Sequence, residues 1–150
     1  MDKPKSLLND VSSFLLKRGE EFEWITMPGD PGDRIGLAYV QFDTSLPCSF
    51  MFTEVQKPLT LVLDVLFASR IASQDYAEVG LLLQSLNANQ PHGSFMLDME
   101  AGYVYFRQTL VVEGLELSGE QVANAVRNME ATGVDMANKY AEIISREFSA

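Results

Sequence analysis

Near the start of the chain the apolar positions recur every three or four residues. Leu8, Val11 and Leu15 form a stripe with Leu7 and Phe14 on its flank. That spacing predicts an amphipathic helix over residues 5–18. Lys17 and Arg18 stand at the negative end of its dipole, and Gly19 provides a left-handed stop. The period then shortens to two. Residues 22–27 are rich in aromatic and β-branched side chains, and the turn formers Pro28, Gly29, Asp30, Pro31, Gly32 and Asp33 follow as a loop. A strand over residues 34–42 sets Ile35, Leu37 and Tyr39 against Gly36, Ala38 and Val40 on its other face. Over residues 46–55, Phe50 and Phe52 alternate with Ser49, Met51 and Thr53, and Lys57-Pro58 breaks the run. In residues 59–67 one face carries Leu59, Leu61, Leu63, Val65 and Phe67, while Val62 and Leu66 flank Asp64 on the other. A strand apolar on both faces is either central in its sheet or covered by a partner.

A second helix is predicted from Tyr76, Val79, Gly80, Leu83 and Leu86. Leu81 and Leu82 widen its apolar arc, so cover on more than one side is expected. It ends at residues 87–89, and Pro91 and Gly93 mark a turn. Two strands follow across the short Glu100-Ala101-Gly102 loop, the first with Phe95, Leu97 and Met99 on one face, the second with Val104, Phe106, Leu110 and Val112. Ser118-Gly119-Glu120-Gln121 has the form of a capping box opening a long last helix. Val122, Val126, Met129, Gly133, Met136, Tyr140 and Ile143 trace its buried seam, with a bend or close contact expected at Gly133. The order α-β-β-β-(β)-α-β-β-α, one early strand being optional, predicts an α+β domain: an antiparallel sheet with packed helices.

The 150 residues are expected to form one domain, residues 1–150, with a substantial core. The apolar runs fall far short of the ~20 residues of a membrane span, and residues 1–19 lack a signal-peptide pattern, so a soluble, cytoplasmic protein is expected. A net charge of −10 disfavours nucleic acid and anionic membrane as partners, because both bind through Lys and Arg.

Candidate chemistry is sparse. His92 lies in a turn with no nucleophile placed beside it by sequence, and Cys48 is the single cysteine, so neither a disulfide nor a familiar zinc set can be assembled. Asp30, Asp33, Asp43, Asp98 and Glu100 lack the spacing of a calcium loop, and the glycines near Pro28 lack the Lys-Ser/Thr ending of a phosphate-binding loop. No cofactor, metal or catalytic residue is therefore assigned, and the chain is read as a non-enzyme. Arg107 either packs its stem over Tyr105, pairs with a loop carboxylate or grips a partner. Val62, Asp64, Leu66, Leu81, Leu82 and Arg107 are the candidate contacts for a protein partner or for a second copy in a homodimer. The functional expectation is a non-enzymatic protein-binding module, chaperone-like or a regulatory adaptor, that holds a partner segment on apolar surface. The alternative is a small-molecule sensor with a pocket between helices and sheet.

Residues 86–89 (LNAN), 92–98 (HGSFMLD) and 102–107 (GYVYFR), the helix start at Ser118 and Tyr140 late in that helix resemble the YbjN-like family. The likeness runs over residues 76–144 and extends to the N-terminal half through the order of elements. It implies the type III secretion chaperone-like fold. Members of the chaperone branch are small, acidic, cytoplasmic homodimers that hold an extended protein segment on apolar patches. The YbjN-like branch implies regulators, with no catalytic residues to carry over.

Overall fold

The computed structural model describes residues 6–148, with side chains through Ile144. Lys5, where the pattern begins the first helix, lies outside the described residues. Helix α1 (Leu7–Arg18) starts at Ser6, whose hydroxyl accepts the Leu8 N–H at 3.2 Å. It ends at Gly19, φ +81°, where the Gly19 and Glu20 amides donate to Leu16 and Leu15 in a left-handed cap.

Strands β1 (Glu23–Met27) and β2 (Asp30–Gln41) pair around a turn tighter than the loop predicted there. Met27 stands opposite Asp30 and Thr26 opposite Arg34, so the predicted loop residues 31–33 bulge out of the hairpin. Gly29, φ +82°, supplies the left-handed residue this turn needs. Then come β3 (Cys48–Val55), β4 (Thr60–Arg70), a 3-10 turn at Ser73–Asp75, α2 (Tyr76–Ala88), β5 (Ser94–Asp98), β6 (Tyr103–Val111) and α3 (Gly119–Phe148). The optional early strand is present, and the fold is α+β as predicted. The strands form a six-stranded antiparallel sheet in the order β1-β2-β3-β4-β6-β5.

Side-chain alternation gives the sheet two different faces. Leu37, Phe52 and Leu63 form one row of the core, and Tyr39, Phe50, Val65 and Phe106 form the next. Helices α1 and α3 pack on these rows. The capping box at the start of α3 is present, with Gln121 N–H on Ser118 Oγ at 3.1 Å and Ser118 N–H on Gln121 Oε1 at 2.8 Å. At Gly133 a Cβ would stand 3.0 Å from Phe50 Cζ and 3.1 Å from Val65 Cγ2, so the close contact expected there is real.

Helix α2 behaves differently from its apolar content. It buries Val79, Leu83 and Leu86, while Leu82 is half-buried and Leu81 is 69% exposed. The expected cover on more than one side is not provided among the described residues, because α2 lies along the outer strand β5 rather than between two layers. Its last turn closes that sheet edge: the Asn87 amide donates to the Phe95 carbonyl at 2.9 Å and accepts the Phe95 N–H at 2.7 Å. The carboxamide thus takes the place of a neighbouring strand.

A polar knot ties α1, α3 and β2 together. Glu130 is buried on α3 and receives both terminal nitrogens of Arg18, each at 2.7 Å, and the Tyr39 hydroxyl. The Glu130 carboxylate holds the Arg18 guanidinium above its ordinary pKa. Burial, and then the Glu130 charge, raises the Tyr39 hydroxyl, and burial pushes the Tyr140 hydroxyl up to about 12.

Three outcomes are expected from this architecture. Leu83→Ala or Phe106→Ala should cost roughly 2–5 kcal/mol in denaturant unfolding, whereas His92→Ala, exposed in its turn, should stay within about 0.5 kcal/mol. Gly93→Ala should lose roughly 1–3 kcal/mol by overpacking, because its Cβ would fall 2.5 Å from the Arg107 carbonyl oxygen; Gly80→Ala, with nothing within 4 Å, should gain about 0.5–1 kcal/mol of helix stability. Tyrosines whose folded pKa is raised contribute stability that is intact below their unfolded pKa and is lost as pH climbs through the folded one. Thermal stability should therefore hold to about pH 10 and then fall by roughly 1.4 kcal/mol per pH unit for each such tyrosine; Tyr140→Phe should make pH-dependent melts shallower.

Candidate functional site

Strand β4 sits between β3 and β6, and its even-numbered side chains point away from the helices. Cross-strand register sets Glu23, Ala38, Met51, Asp64, Arg107 and Ser94 in one row. One flanking row holds Val40, Ser49, Leu66, Tyr105 and Met96, and the other holds Gly36, Thr53, Val62 and Thr109. Val62 is buried, yet it does not belong to the core cluster that the helices complete. Among the described residues no helix packs on these rows, which form an open face.

Asp64 is only 2% exposed although it stands on this open face. Its neighbours explain that. Arg107 Nε donates to Asp64 Oδ1 at 2.7 Å and Arg107 Nη2 to Oδ2 at 3.0 Å, so the guanidinium lies across the carboxylate like a lid. A carboxylate desolvated by Met51, Val62 and Leu66 would be costly without such a cation. In turn the Asp64 charge holds the Arg107 guanidinium above its ordinary pKa. The guanidinium also lies 5.3 Å from the Tyr105 ring centroid, and the Arg107 side chain remains 42% exposed. Beside the pair is a shallow concavity of about 800 Å³, lined by Val40, Met51, Leu66, Tyr103, Tyr105 and Arg107 among others. Its largely apolar walls, with the Asp64–Arg107 pair and the Asp98 carboxylate among them, suit an apolar chain with a few hydrogen-bonding groups.

Of the candidate contacts, Val62, Asp64, Leu66 and Arg107 come together on this face. Leu81 and Leu82 do not; they stand on α2 at the β5 edge. Arg107 pairs with a carboxylate of the adjacent strand rather than of a loop, because register places it opposite Asp64. Its position over Tyr105 is as expected. Val40 and Tyr105 complete the concavity without having been singled out for it. Their signal in the sequence was alternation alone, and alternation does not say which strands become neighbours.

The single cysteine borders the concavity, and the single histidine does not. His92 is exposed, and its backbone N–H donates to Gln90 Oε1 at 2.8 Å. Cys48 is buried beside the Thr44 hydroxyl at 3.3 Å, and burial pushes its thiol up, away from the thiolate form. No three His, Cys, Asp or Glu side chains among the described residues are grouped as metal ligands would be. Among those residues, no helix is long and apolar enough to cross a membrane.

The crystal structure of YbjN from E. coli, described as "a putative transcription regulator", superposes on this fold with a TM-score of 0.66 over 93% of each chain, at 17% sequence identity. Among curated proteins none matches the sequence significantly. The family model for YbjN, described as "Putative bacterial sensory transduction regulator", matches residues 19–141, which span β1 through most of α3 and include every residue of the open face. The chain therefore belongs to the YbjN family.

Proposed function

We propose that the chain is a non-enzymatic regulatory module that works by binding protein on its open sheet face, in the manner of a chaperone or adaptor. One observation carries this reading: Val62, Asp64, Leu66 and Arg107 lie together on a face that no helix among the described residues covers, with Asp64 already paired to Arg107. An apolar surface whose buried acid is paired accepts a protein segment without stranding that carboxylate. The description of the family as regulators of sensory transduction supports a binding role over a catalytic one.

A second reading, a small-molecule sensor, is favoured by the concavity of about 800 Å³. Its place differs from the pocket expected between helices and sheet. That layer is filled by Phe50, Phe52, Val65, Phe106 and the α3 seam.

A photo-crosslinking residue at position 66 of the full chain, tested in cells against the same residue at position 92, separates the two. Protein adducts at 66 and none at 92 are expected. Adducts at neither position, together with a thermal-shift gain of roughly 2.7 kcal/mol from a metabolite at 100 times its Kd, would replace protein binding with the sensor reading.

A further inference from the structure

We infer that what the open face holds is an amphipathic helix of a partner protein, with Lys or Arg along both borders of its apolar stripe. This rests on the reading of that face as the protein-binding surface and names the form and charge of the segment it takes. Backbone hydrogen bonding decides the form. An extended segment satisfies its N–H and C=O groups by adding to a sheet edge, and here α2 lies along β5 with Asn87 on the Phe95 groups, while β1 is irregular between Ile25 and Met27. Laid on the face instead, such a segment would meet side chains and leave those groups unpaired. A helix closes its own hydrogen bonds and presents an apolar stripe. The opposite face of the same strands already takes a helix in this way, with α3 against Phe50 and Val65 at Gly133.

Charge decides the borders. Asp64 and Arg107 cancel in the middle of the face, but each side keeps a carboxylate: Glu23 on β1 ends the Asp64 row, and Asp98 on β5 lines the concavity. Arg70 stands opposite Tyr103 but lines a separate hollow with Ile71 and Tyr76. With −10 on the whole chain, the field over this face favours a cation on either side of an apolar centre and repels an anion there. Size agrees. The eight residues of β3 span about 27 Å, the length of a helix of about 18 residues, and a helix roughly 10–12 Å across covers about three strands. Centred on β4, its stripe would lie on Val62 and Leu66 between Met51 and Tyr105, and its borders would face Glu23 and Asp98.

The test sets three synthetic peptides of about 18 residues against the full chain: one of Leu and Lys with its apolar positions every three or four residues, one of the same composition with Leu and Lys alternating, and the first with Glu in place of Lys. Calorimetry and methyl NMR read the binding. The helical Lys peptide should bind roughly tenfold or more tightly than either of the others. It should shift the methyls of Met51 and Met96 on the open face and leave those of Met129 and Met136 on the α3 seam. The double variant Glu23→Gln with Asp98→Asn keeps the Oδ1 acceptor that the Glu100 and Ala101 N–H groups use, so it should fold unchanged and bind that peptide at least about threefold more weakly. An alternating or a Glu peptide that binds as tightly, an affinity unmoved by the double variant, or shifts at Met129 and Met136 instead overturns the inference. If position 66 crosslinks to protein but the helical Lys peptide has no advantage, the inference fails alone and the binding reading stands. If position 66 captures no protein and no peptide shifts Met51 or Met96, both fail.

Discussion

The structure depends on how closely the backbone of α3 approaches the sheet at Gly133. Without a side chain there, the helix rests directly on Phe50 and Val65, the centre of the core rows. Seated that low, the seam of Val126, Met129, Met136 and Tyr140 reaches across the sheet, and α1 packs beside it. All the helical cover that α1 and α3 provide is thereby committed to one face. The other face is left to the long side chains of its own strands.

Two buried acids show what that division means. Glu130 lies inside the covered layer, where Arg18 and Tyr39 satisfy it and bind α1 to α3 and β2. Asp64 lies on the open face, where its cover is Arg107. In each pair the acid is buried and the arginine is partly in water, so the arginine supplies the charge that the buried carboxylate lacks and is held in place by it. At Glu130 the result is cohesion within the chain. At Asp64 it is a held guanidinium, with outward donors on an apolar field.

The sheet margins follow the same economy of cover. At β5 the Asn87 side chain occupies the main-chain hydrogen-bonding groups of Phe95, and α2 lies alongside. At β1 register shifts at Ile25 to Met27 twist the edge, which discourages strand addition. With one edge occupied and the other irregular, the open face is the broad surface left for association.

Order and type of the elements were legible in the sequence because both rest on local period: three to four residues in the helices and two in the strands. The Ser118 capping box, the Gly19 cap and the contact at Gly133 were legible for the same reason, since each is set within one turn of chain or by one missing side chain. Asp64 and Arg107 also stood out, as charges in apolar strands. Their union did not, because β6 lies 43 positions away and only the strand order makes it the neighbour of β4. The same limit hid that Leu81 and Leu82 stand apart from the open face. An apolar arc around a helix shows how much surface asks for cover, but the position of α2 at the sheet edge decided that Leu81 stays 69% exposed among the described residues. The bulge at residues 31–33 was likewise tertiary, imposed by pairing of β1 on β2. Local chemistry thus determined the parts and the two faces, and long-range register determined which charges met and which face was left open.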